Sequence, residues 1–307
     1  MACNKSPSTL DPRKSISAPL DSTQRHSRFS RVRGLAATST QIPPPTLFFS
    51  NAPCFHELSI PGETFTPRKI ILPWLQLTKF EGILDDLELF TVAPNLTELT
   101  CRFDRDWDAS FTVITHHKLT SFTINEDSDD LTQYLTLPAL KHLDVSQISR
   151  YEGLESFLAR SSPCLVSLSI CVNDKDDEVS NLYYLGKFLP LVARTLENLE
   201  LSEVSDDEMP SIFRLLNRDS FQNIRTLTFK YVFEAFDLHA MIKFLYAHSD
   251  RLTTFRVFWV SSPFLDAQAR SPSGTADTIG GHLSRLAQTG IDIYLGTTRV
   301  NYVCFNQ

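Results

Sequence analysis

The sequence predicts an α/β solenoid in which parallel strands line a concave face and helices or irregular segments cover a convex face. Three observations predict it. One pattern of three apolar residues recurs through most of the 307 residues, its copies are nearly evenly spaced, and a helical apolar period fills several of the intervals. A single strand with its connection cannot bury its own apolar stripe, so each repeat must be covered by its neighbours.

The recurring pattern is apolar-x-x-apolar-x-apolar, as in Leu165, Leu168 and Ile170 of the stretch "PCLVSLSI". Its last two positions alternate with a period of two, so both side chains point to one side of a strand. Nine copies have their middle residues 19 to 31 positions apart, and the second is a weaker copy that ends at Gly82. We therefore predict nine strands with anchors at Leu58, Phe80, Leu99, Phe122, Leu143, Leu168, Leu199, Leu227 and Phe255.

Apolar residues between the later copies follow a helical period instead. Four sets with the spacing i, i+3, i+4 predict helices around Leu154/Phe157/Leu158, Leu185/Phe188/Leu189, Ile212/Leu215/Leu216 and Met241/Phe244/Leu245. After a similar set at Leu131/Tyr134/Leu135, the next copy begins only five positions further on, at Leu140. We therefore predict short or irregular connections in the first half of the chain and complete strand–helix repeats from about residue 150.

The first 45 residues differ in composition from the rest. They are rich in Ser, Thr and Pro and hold seven Lys and Arg against two acids, so they carry +5 while the remaining residues carry −12. Such a segment has too little apolar surface to offset the entropy of ordering. We predict a disordered basic tail over residues 1–45 and one solenoid over residues 46–307. An Arg-rich mitochondrial transit peptide is the alternative for the tail.

The net charge and the cysteine pattern limit which classes of partner and which cellular compartments are expected. An acidic body is a poor surface for a phosphate backbone, so we expect no nucleic acid partner. No apolar run approaches the ~20 residues needed to span a membrane, and the N-terminus lacks a charged-then-apolar signal. Six cysteines without a Cys-x-x-Cys pair suit a reducing interior. We therefore expect a protein of the cytoplasm or the nucleus, without contact to a membrane.

Motifs for chemistry are weak. His116 and His117 are adjacent and would point in opposite directions on a strand, and the acids at 104, 106 and 108 begin like a calcium loop but lack its later glycine and glutamate. His239 and His248 stand nine residues apart on one predicted helix and would face opposite ways. We expect no metal, no cofactor and no enzymatic activity. An enzyme whose site is assembled from distant residues is the alternative.

Four phrases carry a resemblance to a known family: "APNLTELTC", "LTLPALKHLDVS", "LESFLARSSPCLVSLSI" and "GIDIYLGT". Over about residues 47–300 the chain resembles the leucine-rich-repeat region of F-box proteins from mushroom-forming fungi. The resemblance implies a leucine-rich-repeat solenoid that acts as the substrate-recognition half of an F-box ubiquitin-ligase receptor. Residues 1–45 contain nothing like the F-box that grips the Skp-type adaptor, so we expect no adaptor binding by this chain. A vestigial or truncated repeat protein without a selected partner is the alternative.

The expected partner is a protein held on the concave face, where side chains between the anchors point outward. Arg and large aromatic residues carry much of the energy of interfaces, so Lys230, Arg256 and Phe258 are predicted to orient an acidic segment of that partner. An alternative leaves the face solvated, with Phe258 packed on Tyr231 or Trp259 and Glu200 balancing both cations. The full set of candidate binding residues is Lys230, Arg256, Phe258, Glu200, Arg102 and Asp144.

Overall fold

A computed structural model describes residues 54–67, 70–103, 112–125, 129–145, 152–172, 181–205, 208–217, 221–232, 237–260, 279–297 and 301. The predicted tail over residues 1–45 and its boundary lie outside the described residues. The acids at 104, 106 and 108 also lie outside them.

Ten parallel strands form one sheet, and their order in the sheet is their order in the chain. The strands of the chain are β1 (Glu57–Phe65), β2 (Lys79–Leu84), β3 (Glu98–Phe103), β4 (Ile114–Thr115), β5 (Ser121–Ile124), β6 (Leu135–Thr136), β7 (His142–Val145), β8 (Ser167–Cys171), β9 (Asn198–Ser202), β10 (Thr226–Val232), β11 (Thr254–Trp259) and β12 (Asp292–Gly296). Strands β4 and β6 pair with each other in a separate small sheet. The protein is therefore α/β with a large parallel sheet.

Within the described residues, helices connect several of the strands, and the helices after residue 150 are longer than the one before it. They are α1 (Glu88–Val92), α2 (Glu152–Ser161), α3 (Asn181–Val192), α4 (Met209–Leu216), α5 (Leu238–Ala247) and α6 (Ile279–Gln288). Short 3-10 segments cover Trp74–Gln76 and Asp129–Tyr134. The four predicted helices are confirmed as α2 to α5. The predicted change near residue 150 is also confirmed, since α1 has five residues whereas α2 to α6 have 8 to 12.

The core lies between the sheet and the helices. The predicted anchors stand in register in one row across the sheet, and each of them except the half-buried Leu58 is buried. Helix side chains close over them: the ring of Phe213 on α4 lies 5.7 Å from that of Phe229 on β10 and 4.9 Å from that of Phe244 on α5. The nine anchor positions are therefore confirmed as strand residues.

The structure adds elements that the sequence did not predict at the C-terminal end, and it confirms the short connection that was predicted before Leu140. A tenth strand of the sheet, β12, and the helix α6 were not predicted, because Ile293 follows its register partner Phe255 by 38 residues instead of 19 to 31. The set Leu131/Tyr134/Leu135 forms a 3-10 helix followed by β6, and both leucines are buried. The short interval before Leu140 leaves no room for a longer helix.

Gly82 occupies a position where the repeat pattern expects a large apolar residue. It pairs in register with Ile60 on β1 and with Cys101 on β3. A Cβ atom placed on Gly82 would lie 3.0 Å from Cζ of Phe80 and 3.1 Å from the carbonyl oxygen of Ile60. The ring of Phe80 therefore fills the space that a side chain at this position would need.

Replacing Gly82 by valine is expected to lower the free energy of unfolding by about 1–3 kcal/mol through overpacking, although valine suits a strand and completes the pattern. Urea unfolding followed by circular dichroism measures the change. Because Phe80→Leu shortens the opposing ring, the double variant Phe80→Leu/Gly82→Val should lose less than the sum of the two single changes. Gly186→Ala on α3 is the control, since a Cβ there meets no atom within 4 Å. An unfolding midpoint unchanged by Gly82→Val contradicts the packing.

Candidate functional site

The side chains between the buried anchors form the sheet face opposite the helices, which we call the open face. Strand residues alternate between the two faces, so three rows of outward side chains run across the sheet. The middle row crosses all ten strands in register as Ser59, Glu81, Thr100, Thr123, Asp144, Ser169, Glu200, Thr228, Arg256 and Tyr294. It changes from uncharged and acidic residues to a basic and an aromatic residue at its C-terminal end.

A depression with a volume of about 300 Å³ lies in the centre of the open face, over β7 to β10. Its walls and floor are His142, Leu143, Asp144, Ser167, Ser169, Asn198, Leu199, Glu200, Thr226 and Thr228. Serine and threonine side chains are short, so the strands that carry them leave a hollow between the longer neighbours. Asp144 and Glu200 are the two acids in this lining.

Asp144 is a half-buried carboxylate on β7. Burial raises its pKa above the usual value because the charged form loses solvation. A hydrogen bond from Ser169 lowers the pKa, the charge of Glu200 raises it, and the charge of Lys230 lowers it. The pKa of Asp144 is raised overall, so the charge of Lys230 does not offset the loss of solvation of this carboxylate.

Glu200 on β9 holds the centre of a chain of polar side chains. The Lys230 ammonium donates a hydrogen bond to Oε1 of Glu200 at 2.6 Å, and the Ser169 hydroxyl donates to the same atom at 3.2 Å. Ser169 is also the register partner of Asp144 on β7, and a hydrogen bond from Ser169 is one of the influences that lower the pKa of Asp144. Four neighbouring strands, β7 to β10, are therefore linked by polar contacts across the open face.

The C-terminal end of the open face combines an ion pair with two stacked rings. The guanidinium of Arg256 lies 3.1 Å from a carboxylate oxygen of Asp292, and both side chains are about half exposed or more. The rings of Phe258 and Tyr294 have centroids 4.9 Å apart and are inclined by 31°. Tyr294 is held by a hydrogen bond from its hydroxyl to the carbonyl of Thr297 at 2.6 Å.

Five of the six candidate residues lie on the same part of the open face. Asp144, Glu200, Lys230, Arg256 and Phe258 belong to strands β7 to β11, with β8 between the first two. The sixth, Arg102, is half-buried on β3, two strands before β7, and lies outside the lining of the depression.

The ion pairs differ from the one that the solvated alternative expected. Glu200 balances Lys230 alone, whereas Arg256 is paired with Asp292 on the added strand β12. The ring of Phe258 meets Tyr294 on that same strand. Asp292 and Tyr294 were missed by sequence reasoning, although the alternation of Ile291, Ile293 and Leu295 in "GIDIYLGT" would have assigned both to the open face.

The histidines considered as metal ligands belong to the core or to separate surfaces. His116 is buried, accepts a hydrogen bond at Nδ1 from the backbone N–H of Leu119, and donates from Nε2 to the carbonyl of Ala93. Burial lowers its pKa, with a smaller contribution from neighbouring cationic groups. Within the described ranges no three His, Cys, Asp or Glu side chains are grouped as they would be around a metal ion.

Comparisons with known protein families and with curated proteins found no match to this chain. Among the described residues no helix is both long enough and apolar enough to cross a membrane.

Proposed function

We propose that this chain is a non-enzymatic protein-interaction module, a leucine-rich-repeat solenoid that binds a partner protein on its open face. The regular register of ten parallel strands in chain order supports the repeat assignment, since stacked repeats bury a shared core in this way. The resemblance to the repeat region of fungal F-box proteins supports a role like that of the substrate-recognition half of a ubiquitin-ligase receptor. The same resemblance favours an intracellular protein of the cytoplasm or the nucleus.

The observation that carries the proposal is the continuous polar row on the open face, with a shallow hollow at its centre and stacked rings at its end. A surface of this kind offers many strands to one extended partner. Aromatic rings supply broad contact area at low cost in conformational entropy, and polar neighbours fix the orientation of a bound chain. The acidic body continues to favour a protein partner over a nucleic acid.

Phe258→Ala is expected to weaken binding of the partner about tenfold or more, because a half-buried ring at an interface is a frequent source of binding energy. The partner is first identified by affinity purification with mass spectrometry, then purified and titrated against the full chain by calorimetry. Tyr183→Ala is the matched control: this exposed ring lies on α3, on the helical side, and should leave the affinity unchanged.

The two alternatives give different results in this experiment. A vestigial chain yields no partner that binds when both proteins are pure. A partner lost with Tyr183→Ala but kept with Phe258→Ala would place the contact on the helices and reject the open face. An enzyme would instead consume a ligand during the titration.

A further inference from the structure

We infer that the partner segment docked on the open face carries a lysine or arginine whose side chain enters the central depression and pairs with Asp144. This inference rests on the function proposed above and adds the chemistry of the bound segment. It differs from the acidic segment expected from the sequence, and the reason lies in how the charges of the face are paired.

The two cations at the C-terminal end already have acidic partners. Lys230 is bonded to Glu200 and Arg256 to Asp292. An acidic segment would therefore have to displace a carboxylate of this chain before it gained an ion pair. Among the described residues, Lys230 donates its short hydrogen bond to Glu200 and acts on Asp144 through its charge, so a basic segment meets no ion-paired cation at Asp144.

The polar side chains across the depression have too few hydrogen-bond donors for their two carboxylates. The Ser169 hydroxyl has a single proton, and its register partners on the two adjacent strands are Asp144 and Glu200, each of which a hydrogen bond from Ser169 would stabilise. When the proton points to Glu200, Asp144 loses that hydrogen bond while half-buried. An incoming guanidinium or ammonium supplies several N–H donors and a positive charge together, so it satisfies Asp144 without taking a donor from Glu200.

The size of the depression also fits a side chain. Pockets for small molecules range from about 300 to 1,000 Å³ and are mostly apolar and enclosed. This hollow is at the lower limit of that range, and eight of its ten lining residues have polar side chains. The chain after residue 45 carries −12, which favours the approach of a basic segment over long distances.

The test uses the full chain and fluorescein-labelled nine-residue peptide mixtures with a fixed central residue, which is arginine, lysine, citrulline, glutamate or leucine. Citrulline keeps the shape of arginine without its charge. Fluorescence polarisation is expected to give about tenfold tighter binding for the arginine mixture than for citrulline or glutamate, the size of a charge-assisted hydrogen bond. Asp144→Asn should remove this preference and leave the binding of the citrulline mixture unchanged.

Glu81→Gln is the matched control, because it removes one acid from the same row at a strand far from the depression. It should change the arginine affinity by less than about twofold, since distant surface charges are screened by salt. The thermal midpoints of both variants are measured as well. Asp144→Asn preserves the shape of the side chain, so a loss of binding with an unchanged midpoint is the expected result.

Three results overturn the inference: arginine and citrulline mixtures that bind equally, an Asp144→Asn variant that keeps the preference for arginine, or no binding of any mixture. The variant Ser169→Trp distinguishes a failure of this inference from a failure of the proposed function. If the leucine or glutamate mixture binds best and Ser169→Trp, which fills the hollow, abolishes that binding, the open face is a docking surface for a different chemistry. The purified partner and Phe258→Ala then decide the proposed function independently.

Discussion

Replacing Leu199 by alanine is expected to lower the free energy of unfolding by about 2–5 kcal/mol, through lost burial and the cavity that remains. Leu199 is 1% exposed and lies in register between Leu168 and Leu227. It therefore packs against a strand on each side, and in the stacked repeats proposed here the interface between neighbours would supply much of the stability. Urea unfolding followed by circular dichroism measures the loss.

Leu58→Ala is the matched control for this change. Leu58 occupies the same row on β1, which is an edge strand with one neighbour in the sheet, and it is only half-buried. The same chemical truncation there should cost clearly less. A loss below about 1 kcal/mol at Leu199, or an equal loss at both positions, would contradict the central role of this anchor.

Acidification from pH 6.5 to 4 is expected to destabilise the protein through His248 by about 3 kcal/mol at most. Burial, and next the charge of Arg251, lower the pKa of His248 to about 4 from an ordinary 6.5. The unfolded chain therefore binds a proton before the folded protein does. Stability from this group is complete above pH 6.5 and is lost progressively as the pH falls to about 4.

The surroundings of His248 explain why it resists protonation. Arg251 donates a hydrogen bond to Nδ1, so the ring proton sits on Nε2. Nε2 is buried, and within the described residues no group accepts a hydrogen bond from it. The ring also meets Phe244 edge-on with centroids 4.3 Å apart. A second proton would place an imidazolium beside a guanidinium in an apolar environment.

Urea unfolding at several pH values tests this prediction. His248→Asn keeps an acceptor near the position of Nδ1 but cannot titrate, so its unfolding free energy should change less between pH 6.5 and 4. His239→Asn, on the exposed side of the same helix, should retain the slope of the unaltered protein. Equal slopes in all three proteins would show that His248 does not contribute.

The anchors were predictable because the same spacing of apolar residues recurs along the chain. Leu168 and Leu199 stand in copies of one pattern, and the pattern fixes both the strand and its inward face. The helix that contains Phe213 was predictable for the same reason, since its apolar period is long enough to distinguish a helix from a strand. The strand β12 was missed because its interval is longer than the others, although its own alternation is regular.

The pairing of charges could not be read from the pattern. Alternation places Glu200, Lys230 and Arg256 on the open face but does not say which acid each cation contacts. That choice depends on the lateral reach of long side chains and on a strand 36 residues after Arg256 that supplies Asp292. The hollow at Asp144 follows from the shortness of Ser169 and its neighbours, which the register of the adjacent strands places side by side.

Because the order of the strands in the sheet follows their order in the chain, the sheet is able to form while the protein is still being synthesised on the ribosome. In the large sheet every strand after β1 finds its partner already synthesised, 19 to 38 residues earlier. At roughly 5–20 residues per second, a strand with its connection, about 30 residues, takes roughly 1.5 to 6 seconds to emerge. The nascent sheet can thus grow one strand at a time from its N-terminal edge. Throughout that growth one edge strand of the sheet is unpaired, so the strand with Leu168, and then the strand with Leu199, is exposed to solvent until the next strand pairs with it.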